Sequence, residues 1–242
     1  MSIEKKRFIH SLVFPFLFVC IIWLVKLAEF VLHINLSFLG IFPLHLKGLS
    51  GILFAPLIHG GMEHLMANTV PIFVLGVGLF YFYNKIAYKV FFLIFLLSNI
   101  WLWFGGREAY HIGASGIIYG LAFFLFVSGM IRKNGKLMAI SLLVVFLYGS
   151  LVWGLLPIKP KVSWEGHLYG AISGLVLAIY YREKGPKRKI YSWEFEDEED
   201  DDDEQEDEFN EEKEYDKDTD KKNTEINYFY KNNISNISCD DE

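Results

Sequence analysis

His111-Ile-Gly-Ala-Ser115-Gly116 runs straight into an apolar stretch that continues to Ile131, so a hydroxyl stands where a membrane-length helix begins. Two other apolar runs open on polar residues in the same way. Trp164-Glu-Gly-His167-Leu-Tyr-Gly170 places a histidine at the head of one. His64, followed one helical turn later by Asn68, stands at the head of the other. Ionisable or nucleophilic groups at membrane depth are costly, so each marks a candidate functional site. A serine, a histidine and donors for an oxyanion are the components of a serine hydrolase. Together they make the chain a candidate enzyme that cuts peptide bonds inside a membrane.

Composition points to the same solvent. Of 242 residues, 52% are hydrophobic and 17% aromatic, with 22 Phe. A soluble domain of this length rarely carries so many apolar runs near spanning length. The net charge of -6 conceals two opposite regions. Residues 1–189 hold 18 Lys+Arg against 6 Asp+Glu, and residues 190–242 hold 5 against 23. The first region is expected to be the membrane domain. The second is expected to be an acidic tail that is disordered, because Glu194–Glu214 offers little besides Phe195 and Phe209 to bury. Such a tail serves as a solvating appendage or as a partner-binding segment.

Six apolar segments can be drawn, at roughly 10–32, 63–83, 86–104, 115–131, 137–156 and 166–182. Each is near the length that crosses a bilayer, so the expected fold is an all-α bundle of six transmembrane helices. The basic start Lys5-Lys6-Arg7 imitates a signal peptide. No small-residue cleavage site follows, so the segment reads as a retained first span. Lys26 and Glu29 interrupt its outer end, which is expected to be interfacial or protein-facing. Residues 33–58 are broken by Gly and Pro. They read as a long loop lying partly in the interface, with Phe38, Leu39, Phe42 and Leu46 as apolar contacts.

Orientation follows from the basic residues. One side collects Lys5, Lys6, Arg7, Lys85, Lys89, Arg132, Lys133, Lys136, Arg182, Lys184, Lys187, Arg188 and Lys189. The other holds mainly Lys47, Arg107, Lys159 and Lys161. Both termini are therefore expected in the cytoplasm, and segments two, four and six all begin on the outer side. His64, Ser115 and His167 then share one depth and one face. Asn233-Ile-Ser235 and Asn236-Ile-Ser238 match the glycosylation pattern, but a cytoplasmic tail would not meet that machinery.

Each polar residue has a chemical reading and a plainer one. Ser115 lies between flexible glycines, Gly113 and Gly116, at a helix N-terminus that favours negative charge on an attacked carbonyl oxygen. Taken alone, it is also what a helix-capping serine looks like. His167 is placed to act as general base if it comes within about 3 Å of Ser115; alone, it is a buried histidine bonded to a carbonyl. The spacing of Gly166, Gly170 and Gly174, and of Gly116 and Gly120, permits close helix packing, and that seam shares a face with His167. Tyr119, one turn after Ser115, can support the imidazole or simply pack. His64 and Asn68 share a helix face and can donate to an oxyanion, or act as hydrogen-bonding glue between spans. His59, before Gly60-Gly61, is expected to hold the long loop. No carboxylate-rich or cysteine-containing shell accompanies these histidines, so no metal is expected. Cys20 and Cys239 offer no disulfide framework.

The three motifs together resemble the rhomboid family of intramembrane serine proteases. They are His59-Gly-Gly-Met-Glu-His64-Leu-Met-Ala-Asn68, Gly113-Ala-Ser-Gly-Ile-Ile-Tyr-Gly120 and Gly166-His-Leu-Tyr-Gly-Ala-Ile-Ser-Gly174, and the likeness covers roughly residues 8–185. The resemblance implies a six-helix bundle with a water-filled cavity open to the outside. It implies a Ser115–His167 dyad without an aspartate, His64 and Asn68 lining an oxyanion hole, Tyr119 packed against His167, and no cofactor. One departure is visible. Many rhomboids carry a Trp-Arg pair in the first long loop, whereas residues 33–58 here contain neither and His45-Leu-Lys-Gly-Leu49 stands in that region.

The expected activity is cleavage of transmembrane protein substrates within the lipid bilayer, with no nucleic-acid partner. A bacterial plasma membrane fits best. Two rivals stand beside it. A catalytically inactive scaffold of the same fold would bind transmembrane clients, but it would be free to lose Ser115 or His167. A small transporter would place polar groups through the midplane rather than at helix starts on one side.

Overall fold

A computed structural model describes residues 2–147, 154–158 and 162–186. Helix α1 (Ile3–Leu32) is followed by short 3-10 turns and a one-turn helix α2 (Gly51–Phe54), then α3 (Met62–Phe82), α4 (Ala87–Gly105), α5 (Ser115–Ile131), α6 (Gly135–Leu147) and α7 (Trp164–Tyr180). The described residues are helical apart from turns and one isolated antiparallel bridge, Ile41 with His111. Among the described residues, three helices, α1, α3 and α4, are long and apolar enough to cross a membrane. The expectation of a disordered tail over residues 190–242 falls outside the described residues, as does the end of the fifth segment.

The element starts follow local chemistry. Ser2 caps α1 by accepting from Lys5 N, with Glu4 in the first turn where the helix dipole favours an anion. The helix ends at His33 in the left-handed conformation, at φ 52. Ser163 caps α7 in the same manner, accepting from Gly166 N. Along α1 the buried residues are Ser11, Pro15, Phe18, Ile22 and Glu29, one stripe at helical spacing. That stripe packs on α3, and most of the remaining α1 surface is exposed and apolar, as a lipid-facing helix requires.

Helix α5 is the centre of the bundle, packing against α3, α4, α6 and α7. Ile117, Ile118, Leu121, Phe124 and Leu125 are almost fully enclosed, so its sequence is apolar all round. The Lys26 and Glu29 interruption does not end α1. Lys26 Nζ pairs with Glu29 Oε2 at 3.0 Å and donates to His59 O at 2.9 Å, while Glu29 Oε1 accepts from Leu36 N at 2.9 Å. Two charges that lipid would exclude are thus paired and turned toward protein.

The long loop is compact and tied down. Leu44 N donates to Trp103 O at 3.0 Å, Trp103 Nε1 donates to His45 O at 3.2 Å, and Asn99 Nδ2 donates to Ile52 O at 3.1 Å. Lys47 Nζ lies 3.9 Å above the Phe42 ring. A tryptophan from α4 and a cation on an aromatic face therefore fasten a loop that contains neither Trp nor Arg.

Candidate active site

Three helix starts meet at one place. His64 is the third residue of α3, Ser115 the first of α5 and His167 the fourth of α7. The first-turn N–H groups of a helix lack intrahelical partners, so these ends present donors and positive dipole ends.

Ser115 Oγ lies 2.8 Å from His167 Nε2. His167 Nδ1 lies 2.8 Å from Gly154 O, and a carbonyl can only accept, so Nδ1 carries the proton. Nε2 is then a lone pair and Ser115 donates to it. This is the tautomer a base needs in order to take the serine proton. Tyr119 stacks on the imidazole with ring centroids 4.3 Å apart and planes 11° from parallel, and both residues are buried.

The approach of α5 to α7 is backbone on backbone. A Cβ added to Gly170 would strike the Gly116 carbonyl, and one added to Gly174 would strike the Gly120 carbonyl. In the opposite direction, a Cβ on Gly116 would come within 3.2 Å of Gly166 O, and one on Gly120 within 3.1 Å of Gly170 O. The small-residue spacing thus closes a seam of helix-contact type, and that seam delivers His167 to Ser115.

The α3 side is arranged differently. Asn68 is buried, and its Nδ2 donates to His64 O at 2.7 Å. An amide nitrogen has two protons, so a second N–H remains. The His64 ring lies over Gly113, whose φ of 110 is a glycine conformation. A Cβ there would come within 2.6 Å of His64 Cε1. His59 is 2% exposed, its ring centroid 5.0 Å from that of His64, and its Nε2 accepts a long bond of 3.5 Å from Ala114 N. Burial, then the neighbouring His64 and Lys26, push the His59 pKa down to about 4, so this histidine is neutral.

Four residues to which the sequence pattern assigns no role complete the outer rim. Arg107 NH1 is 3.4 Å from Glu165 Oε1, and Arg107 NH2 donates to Val162 O at 2.9 Å. His111 Nδ1 is 2.6 Å from Ser163 Oγ. Ser163 carries a readable signal, a cap residue three positions before Gly166. The others meet across more than fifty residues and leave no periodic trace. Asn99, His111, Ser115 and Ser163 also border a cavity of about 20 Å³, room for about one water. Among the described residues, no group of three His, Cys, Asp or Glu is placed to hold a metal.

Comparison with known proteins agrees with this architecture. The family model described as Rhomboid domain matches residues 45–184. The chain is 39% identical over 186 residues to an uncharacterized protein of Mycobacterium tuberculosis, covering 71% of this chain and 75% of that one. It is 38% identical over 183 residues to an uncharacterized protein of Mycobacterium leprae, covering 71% of each. A rhomboid protein, by its name, of Acanthamoeba polyphaga mimivirus is 28% identical over 132 residues, 51% of this chain and 70% of that protein. The chain belongs to the rhomboid family, the family of intramembrane serine proteases.

Proposed function

We propose that the protein is an intramembrane serine endopeptidase in which Ser115 is the nucleophile and His167 the general base. The observation that carries this reading is the 2.8 Å contact of Ser115 Oγ with an imidazole nitrogen left unprotonated by the Gly154 carbonyl. The domain spans the membrane six times with both termini cytoplasmic, as the basic residues argue. Its substrates are transmembrane segments of other proteins.

A substrate helix first unwinds at its outer end, because a helix hides its carbonyls in internal hydrogen bonds. Weak helix formers near the cut lower that cost. His167 Nε2 takes the Ser115 proton as Oγ attacks the carbonyl carbon. The new O⁻ is held by the Ser115 N–H, the His64 ring and the second N–H of Asn68. The imidazolium returns the proton to the leaving amine as the C–N bond breaks, giving an acyl-enzyme. Water then attacks with His167 again as base, and Ser115 is regenerated. Tyr119 keeps the ring in plane throughout.

Purified protein in detergent or liposomes, treated with a fluorophosphonate probe, tests the reading. Wild type is expected to label, and Ser115→Ala and His167→Ala are expected not to. A folded wild type that resists several such probes would overturn the protease reading and leave a scaffold for transmembrane clients.

A further inference from the structure

We propose that Arg107, His111, Ser163 and Glu165 form a latch that positions Ser115 against His167. On this proposal they act on the reactivity of the pair rather than on substrate binding. The inference rests on the serine protease reading above.

Ser115 and His167 stand 52 positions apart and reach each other from separate segments. Ser115 follows directly on the loop 106–114. His167 sits in the first turn of a helix that begins after Ser163. The glycine seam sets how near α5 and α7 run, but glycines cannot fix how one start is aligned with the other. The latch residues join those two starts. His111 and Arg107 belong to the loop, while Val162, Ser163 and Glu165 lead into α7, and three contacts cross between them at 2.6, 2.9 and 3.4 Å.

The direction of the hydrogen bonds can be assigned. His111 Nε2 is 3.0 Å from Arg107 O, a carbonyl, so Nε2 carries the proton and Nδ1 is the acceptor. Ser163 O–H therefore donates to His111 Nδ1, and the same oxygen accepts the Gly166 N–H at 3.3 Å. One hydroxyl thus joins the α7 cap to the loop that ends in Ser115. The loop is held from behind as well. His111 exchanges both backbone bonds with Ile41, at 2.9 and 2.8 Å, and Gly113 N donates to Ala55 O at 2.8 Å. His111 is buried, which pushes its pKa down and favours the neutral ring this arrangement uses.

Glu165 argues that the arrangement is not there for stability alone. Glu165 is only 5% exposed, and its Oε2 has no hydrogen-bond partner among the described residues. An ion pair whose guanidinium is half-exposed is a weak stabiliser, because water screens the attraction. What the guanidinium adds is direction, because its planar fork reaches Glu165 Oε1 with one nitrogen and Val162 O with another, tying the loop to the start of α7 at two points.

The test uses the full chain in detergent and measures fluorophosphonate labelling over time. The amplitude gives the active fraction, and the rate separates into kinact and KI. Glu165→Gln keeps the shape and removes the charge. Its kinact is expected to fall on the order of ten- to hundredfold, the cost of small misplacement of reacting groups, with KI little changed. Arg107→Gln should fall as far or further, and the double variant no further than the slower single one, since the two act as a unit. Wild-type kinact in Glu165→Gln, with or without a lower amplitude, would overturn the latch. Should Glu165→Gln not fold, Arg107→Lys takes its place. That variant keeps the charge at a half-exposed site but loses the second contact, and an unchanged kinact would again overturn the proposal. If wild type itself never labels, the protease reading falls and takes the latch with it. If wild type labels and the variants match it, only the latch falls.

Discussion

The two sides of the site are built on opposite plans. On the α5–α7 side, Ser115 already touches His167, Tyr119 stacks on the ring, and glycine backbones touch with no side chain between them. On the α3 side, Asn68 spends one N–H on its own helix, His64 leans over Gly113, and His59 reaches Ala114 only at 3.5 Å. Proton transfer depends steeply on distance and alignment, so the groups that move the proton are fixed before substrate arrives. Oxyanion donors must fit an oxygen that exists only during reaction, and apo contacts at such sites are often long.

The largest effect should come from breaking the rigid side. Gly170→Ala pushes a methyl into the Gly116 carbonyl, and overpacking of this kind typically costs about 1–3 kcal/mol. It should abolish cleavage and fluorophosphonate labelling even where the protein still folds by thermal melt. Normal labelling would show that the seam does not set the Ser–His distance.

Next is Asn68→Ala on the other side. One oxyanion donor is worth about 2.7–4 kcal/mol, so kcat for a transmembrane peptide should fall roughly 10²–10³-fold with KM nearly constant. A rate within error of wild type would remove Asn68 from that role and leave it as helix glue.

Tyr119→Leu should cost less. Aromatic stacking adds about 0.5–1.5 kcal/mol beyond burial, so labelling should slow by tenfold or less, and Tyr119→Phe should restore it. A Phe variant as slow as Leu would mean that the hydroxyl, not the ring, matters.

The smallest effect concerns pH and His59. Its folded pKa, about 4, lies below the ordinary value of 6.5, so the unfolded chain binds the proton more readily. The neutral ring's contribution is whole above pH 6.5 and is lost as pH falls toward 4. His59→Gln should therefore flatten the acid limb of Tm against pH, at roughly 2–4 °C per kcal/mol for a chain of this size. An acid limb identical to wild type would show that another group governs it.

Much of this is legible in the sequence because it is written in local pattern. Polar residues at the heads of apolar runs mark Ser115, His167 and His64, and Gly116, Gly120, Gly170 and Gly174 mark the seam at the four-residue spacing of one helix face. The contacts that fasten the long loop are not legible. Trp103 bonds His45 across 58 positions, and Ile41 pairs with His111. Neither has a period, and only the folded chain brings them together. Lys26 and Glu29 look like an interruption because charge is expensive in lipid. Their mutual pairing, and the His59 carbonyl that meets Lys26, cannot be read from α1 alone.

The glycine seam also limits the ways in which this chain can vary. Where a leucine meets a valine, one can shrink as the other grows, and a lineage can drift while its volume stays filled. Glycine has no smaller neighbour to move to, so no second substitution can make room for a first. A map of every single substitution should therefore show its deepest intolerance not at the widest part of the core but along the line where two bare backbones meet.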